Sequence, residues 1–159
     1  LKNNILFAQN AETHHLTDDI SATNEMIKYA TVTHVHEDII GLRNQYETVV
    51  GERGVMLSGG QKQRISIARS LAKNPELVLL DDCLSAVDAN TEKVILDNLH
   101  DTLAGKTVVF ITHRIFSIMN FNKILVLDNG QIVELGNHQQ LLSKKGVYYD
   151  LYQLQTIDN

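Results

Sequence analysis

The sequence contains no tryptophan, one proline and one cysteine in 159 residues. A lone cysteine, Cys83, cannot close an internal disulfide, so no disulfide framework holds this chain. Flanked by Asp81 and Asp82, its thiol is expected to titrate high and to pack rather than react. With so little proline and no low-complexity tract, the chain is neither collagen-like nor disordered. Long apolar runs are missing too: a stretch such as Leu77 to Leu80 is far short of the roughly 20 residues that cross a bilayer as a helix. Positive charge is in deficit, with Lys+Arg 14 against Asp+Glu 19 and a net charge of -5, so the basic footprint of a nucleic-acid binder is absent. No Met begins the chain and no charged-then-apolar leader follows, so Leu1 reads as a cut end.

What is present is 43% hydrophobic residues, enough for one ordinary core. The first half reads as helical. Ile20 to Ala30 carries Ile20, Ala22, Met26, Ile27 and Ala30 at helical spacing, and Ile39 to Leu42 continues the stripe after the polar His34 to Asp38 stretch. Thr48 to Gly54 reads as a loop. A second helix is predicted from about Gln61 to Lys73, with Ile65, Ala68, Leu71 and Ala72 inward and Lys62, Arg64 and Arg69 on a solvated side. Asn74 and Pro75 end it.

After Pro75 strands and helices alternate. Leu77 to Leu80 is a continuous aliphatic run, as for a strand covered on both faces. Asp88 or Asn90 can cap a helix through about Leu103; Thr107 to Ile111 reads as a buried strand, followed by a short helix around Phe116. Lys123 to Asp128 and Gln131 to Leu135, joined by Asn129-Gly130, form a predicted hairpin with the strongest two-residue turn signal. Short helices near His138 to Leu142 and Val147 to Leu154 close the chain. A helical piece thus gives way to an α/β piece near residues 70 to 76, and no internal repeat is present.

Two constellations carry chemistry. Leu77 to Leu80 delivers Asp81 and Asp82 to the end of a strand, where open α/β sheets bind ligands. An aspartate there can hold Mg²⁺ through water while the next acid orients or deprotonates an attacking water; the plain alternative is a strand ending in solvated acids. In Leu57-Ser58-Gly59-Gly60-Gln61, two glycines let the backbone approach an anion, Ser58 offers a hydroxyl, and a helix start favours negative charge. Taken alone, the glycines also suit a merely flexible helix start.

The order LSGGQKQR at 57–64, LVLLDD at 77–82, SAVD at 85–88 and ITHR at 111–114 resembles the nucleotide-binding domain of ABC transporters, matching its signature motif, Walker B, D-loop and switch histidine. VGERG at 50–54 resembles the X-loop of exporters, and the likeness extends over essentially the whole chain. It implies an α/β P-loop NTPase fold fragment: residues 1–73 a helical subdomain with X-loop and signature, residues 74–159 half of a RecA-like, mostly parallel sheet core. It further implies a head-to-tail dimer with a second nucleotide-binding domain, ATP sandwiched between them. Ser58 and the Gly60 N–H would reach the γ-phosphate, with Gly59 between them and Gln61 fixing the loop. Asp81 would hold Mg²⁺, Asp82 and His113 would act on the attacking water, and Asp88 would sit at the dimer interface. The implied partners include transmembrane domains, no nucleic acid is implied, and the place is the cytoplasmic face of a membrane. The function implied is MgATP hydrolysis driving export. Neither the P-loop nor the Q-loop glutamine is found within these residues, so the 159 residues alone are expected not to bind ATP tightly.

Two positions depart from the family. Asp82 stands where hydrolytic members carry glutamate; one methylene fewer retracts the carboxylate by about 1.5 Å, and misplacement of that order costs about a hundredfold in rate. The alternative function is therefore a degenerate, weakly hydrolysing regulatory module of a heterodimeric transporter. Val49 stands where exporter X-loops often carry an acid. A soluble ABC protein working on DNA or ribosomes is the third reading, disfavoured by VGERG and the acidic charge. Gly105-Lys106-Thr107 imitates the end of a P-loop, but His100 replaces its first glycine and a strand, not a helix, follows. The His14, His15 and His34, His36 pairs lack zinc spacing, and the Tyr148 to Leu154 helix reads as core and interface packing.

Overall fold

The computed structural model describes residues 1–6, 19–51 and 54–157. His14 and His15 lie outside them. The chain packs as two compact units, Leu1–Val109 and Phe110–Asn159, and each is described by itself.

The first unit is mostly helical. Helix α1 (Lys2–Leu6) and helix α2 (Asp19–Val32) pack on α4 (Gly59–Leu71), and α2 also meets α3 (His36–Ile40). Helix α2 buries Met26, Tyr29 and Ala30, and α4 buries Ile65, Ile67, Ala68 and Leu71. The stripe predicted to run on from α2 is broken at His34, whose φ of 55° is left-handed. Thr33, fully buried, spends its hydroxyl on the Tyr29 carbonyl at 2.9 Å, and α3 starts in a new direction. Helix α4 begins two residues earlier than its apolar pattern suggests, because Ser58 caps it, and it ends at Leu71 with Ala72 as its C-cap.

Strand β1 (Leu77–Asp81), α5 (Ala89–Thr102) and β2 (Thr107–Ile111) form a strand–helix–strand unit with β1 and β2 neighbours in one sheet. Coverage of β1 on both faces is not what the structure shows: Val78 and Leu80 are 3% and 5% exposed, Leu77 and Leu79 60% and 61%. Successive side chains of a strand point to opposite faces, and among the described residues only one face of β1 is buried. β2 likewise leaves Val109 and Ile111 exposed. Leu77 and Leu79 line a shallow cleft of about 320 Å³ with Ser66 and Arg69 of α4 and Lys73 just beyond its end. Asp88, rather than Asn90, caps α5. Gly105, at φ 81°, turns the chain between α5 and β2, and Lys106 donates to the Asn74 side chain, so the P-loop imitation is a turn.

The second unit is built on the hairpin β3 (Ile124–Asp128) and β4 (Gln131–Gly136), antiparallel with a register shift between Val126 and Leu127. Asn129 and Gly130 take φ of 47° and 77°, the left-handed pair a type I′ turn requires. Helices α6 (His138–Lys144) and α7 (Val147–Ile157) follow. Ile115, Ile124, Val126, Leu141 and Tyr148 make the core. Of the predicted α7 packing residues, Tyr148 is buried and Tyr152 packs against this core, whereas Leu151 and Leu154 are 42% and 60% exposed.

Candidate nucleotide site

Ser58 starts α4 through a reciprocal cap. Its extended backbone (φ -64°, ψ 164°) places Oγ to accept from the Gln61 N–H at 3.1 Å, while Gln61 Oε1 accepts from the Ser58 N–H at 3.0 Å. Residues 59 and 60 then form the first helical turn, whose N–H groups have no intrahelical acceptor. Gly60 is required by sterics: a Cβ there would lie 2.8 Å from the Ala86 carbonyl oxygen. The signature turn therefore rests directly on the turn that follows β1.

A residue that the sequence did not single out holds this arrangement from behind. Asp38 of α3 accepts from Gln61 Nε2 at 3.0 Å with one oxygen and pairs with Arg64 at 2.9 Å with the other. Arg64 also donates to the Gly60 and His34 carbonyls. Of the basic residues expected on the solvated face of α4, Lys62 is exposed, but Arg64 is 12% exposed and Arg69 donates to the Asn4 carbonyl and side chain at 2.6 and 2.9 Å. A guanidinium is a rigid fork of donors and can serve several carbonyls at once, which is why these arginines turn inward. Asp38 lies outside every motif and gives no local signal; only its charge, opposite to Arg64, hints at it.

Gln63 makes a second link. Its amide donates to Ser85 Oγ at 2.9 Å and to the Asp82 carbonyl at 3.4 Å, and accepts from the Ala86 N–H at 3.0 Å. Ser85 Oγ itself donates to the Asp82 carbonyl at 3.0 Å. Asp81 and Asp82 are exposed at the end of β1, and Asp82 has a left-handed φ of 43°, a conformation aspartate tolerates better than most residues. Cys83 is half-buried, and burial first, then the carboxylates of Asp82, Glu92 and Asp81, pushes its thiol up to about 11. Asp88 Oδ1 accepts from the Thr91 N–H at 3.0 Å, and the hydrogen bonds from Thr91 hold its carboxyl below the usual value.

The first unit thus ties the start of α4, with Ser58, Gly59, Gly60 and Gln61, to the turn after β1 through Ala86 and Gln63, and Asp81, Asp82 and Asp88 lie along the segment from the end of β1 to the start of α5. His113 belongs to the second unit. It is exposed, and its carbonyl accepts from Gln155 Nε2 at 2.7 Å. The exposed carboxylates of Asp81 and Asp82 are hard oxygen donors of the kind that suits Mg²⁺, and the glycine-opened start of α4 is an anion-favouring turn of the kind that suits phosphate. His36 Nδ1 lies 2.8 Å from the Tyr46 hydroxyl.

The ABC transporter family profile matches residues 2–85, a span that includes both LSGGQKQR and LVLLDD. The chain belongs to the ABC transporter family. It is 43% identical over 157 residues to the probable multidrug resistance ABC transporter ATP-binding/permease protein YheI of Bacillus subtilis, covering 98% of this chain and 27% of that protein. The multidrug resistance-like ATP-binding protein MdlA of Escherichia coli is 48% identical over 139 residues, 87% of this chain and 24% of MdlA. A bacterial Atm1-family ABC exporter solved with ATP bound superposes with a TM-score of 0.85 at 36% identity, over 97% of this chain and 26% of that one. This ABC chain therefore has the α/β fold of a P-loop ABC fragment, and it spans about a quarter of the length of these three relatives.

Proposed function

We propose that this chain is part of the ATP-binding and hydrolysing domain of an ABC exporter, and that it couples MgATP-driven pairing with a second nucleotide-binding domain to transport. The observation that carries this reading is the signature turn, capped by Ser58 and Gln61 and seated on the Asp82–Asp88 turn with no room for a side chain at Gly60. In it, Ser58 Oγ and the N–H groups of residues 59 and 60 receive the γ-phosphate of ATP held mainly by the partner domain. Asp81 would hold Mg²⁺, which when bound neutralises charge developing on the phosphates. Asp82 takes up a position against the attacking water, His113 orients that water, and Asp88 faces the second domain. We assign the helical subdomain to residues 1–73 and the core portion to 74–159. Transmembrane domains complete the machine, which puts the chain at the cytoplasmic face of a membrane. In the full-length protein, Ser58→Arg should abolish ATP turnover and transport while leaving the protein folded; turnover unchanged by this substitution refutes the assignment.

Asp82 favours a second reading, a weakly hydrolysing regulatory site of an asymmetric pair. Its side chain is one methylene short and its backbone is left-handed. Asp82→Glu should raise turnover about tenfold or more if reach is what limits the site; no gain rules out degeneracy by this route.

A further inference from the structure

Helix α7 carries a hydrogen-bonding pair that neither its apolar pattern nor any motif explains. Gln155 Nε2 donates to the His113 carbonyl at 2.7 Å, and Gln155 Oε1 accepts from the Ile115 N–H at 2.9 Å. One primary amide thereby grips the chain on both sides of Arg114, much as a neighbouring strand would. The loop is also tied from within, since the Arg114 N–H donates to Thr112 Oγ1 at 3.0 Å. His113 remains exposed while its carbonyl, and the backbone of the two residues that follow it, are held.

The amide can do this only if α7 is itself fixed, and it is. Glu134 of β4 accepts from the Tyr148 N–H at 2.8 Å at the helix start, where a Cβ on Gly146 would collide with the same carboxylate. Tyr148, 1% exposed, inserts into the core and its hydroxyl lies 2.8 Å from His138 Nδ1. Tyr152 packs its ring at 5.8 Å from Phe116 and 5.5 Å from His138. Positions 148, 152 and 155 follow the i, i+4, i+7 spacing of one helix face. That face runs from the buried core to the His113 loop.

We propose that Gln155 is a positioning residue for His113: through its two hydrogen bonds, α7 sets the backbone from which the imidazole projects. The proposal rests on the role given to His113 above. A misplacement of about 1 Å in a catalytic group can cost about a hundredfold, so a lost clamp should be read in turnover before it is read in nucleotide affinity.

The test uses the full-length protein with His113→Ala, Gln155→Leu, Gln155→Glu and the double variant His113→Ala/Gln155→Leu. Gln155→Leu should lower kcat about tenfold or more with the KM for ATP within about twofold. Gln155→Glu keeps an acceptor for Ile115 but sets a carboxylate against the His113 carbonyl, so it should be as slow as Gln155→Leu despite its matching size. Amide exchange should rise in the peptide holding residues 112–118 and stay unchanged across α6 and the start of α7. Adding Gln155→Leu to His113→Ala should cost nothing further. Normal turnover in Gln155→Leu, or a further loss in the double variant, or exchange rising throughout α7, overturns the clamp while leaving the reading of His113 in place. Normal turnover in His113→Ala overturns that reading and the clamp with it.

Discussion

The starts of α4 and α6 are held by one device used twice. Ser58 and Gln61 exchange backbone-to-side-chain hydrogen bonds at 3.1 and 3.0 Å, and Asn137 and Gln140 do so at 3.0 and 2.9 Å. What differs is the pair of residues between. In α6 they are His138 and Gln139, and His138 turns its ring to Tyr148 and Tyr152. In α4 they are glycines pressed against Ala86, backed by Asp38 and Arg64. The reciprocal cap is thus a folding device. Under the proposed function the start of α4 adds to it a bare backbone at the first turn, free to take a phosphate.

The sharpest way to break the comparison is to put a side chain where only α4 forbids one. Gly60→Ala pushes a Cβ to 2.8 Å from the Ala86 oxygen and should cost about 1–3 kcal/mol, together with a hundredfold or greater loss of ATP turnover under the proposed function. Gln139→Ala, the equivalent position in α6, is exposed and should stay within about 0.5 kcal/mol. Thermal unfolding of both variants in parallel checks this, and equal effects would dissolve the distinction.

Removing the caps themselves should show likeness in stability and difference in activity. Ser58→Ala and Asn137→Ala should each cost about 1 kcal/mol, read as similar shifts in Tm, while only Ser58→Ala slows turnover. The smallest effect belongs to a third cap, the charged one at α5. Hydrogen bonding from Thr91 lowers the Asp88 pKa from its ordinary 3.8, so this contribution is fully present above that value and is lost as pH falls through the lowered folded-state value. Asp88→Asn keeps an acceptor and should flatten the acid side of the Tm-against-pH curve relative to the parent protein; an unchanged curve shows that Asp88 is not its source.

Much of this was legible in the residues. Asn129-Gly130 specifies its turn because both residues accept positive φ, and the run ending in Asp81 and Asp82 places acids at a strand end wherever that strand packs. Asp38, Gln63 and Gln155 were not legible. Their partners lie 19 to 42 positions away along the chain, and an aspartate in a short helix or a glutamine in a surface helix has no local pattern that separates a structural link from a solvated side chain. Coverage of β1 also misled, since an aliphatic run reports what a strand can bury, whereas the covered face is set by its neighbours.

By itself the sequence determined the order of elements after Pro75 and the hairpin turn, because these depend on backbone preferences and local pattern reaching only a few residues, and the family, because its motifs are read directly in order. Only the tertiary structure decided that the signature turn lies against Ala86, that Asp38 braces Gln61, and that α7 grips the His113 loop. Those contacts require segments distant in sequence to meet, and the closure of such loops is directed by burial of the whole core rather than by the residues that finally touch.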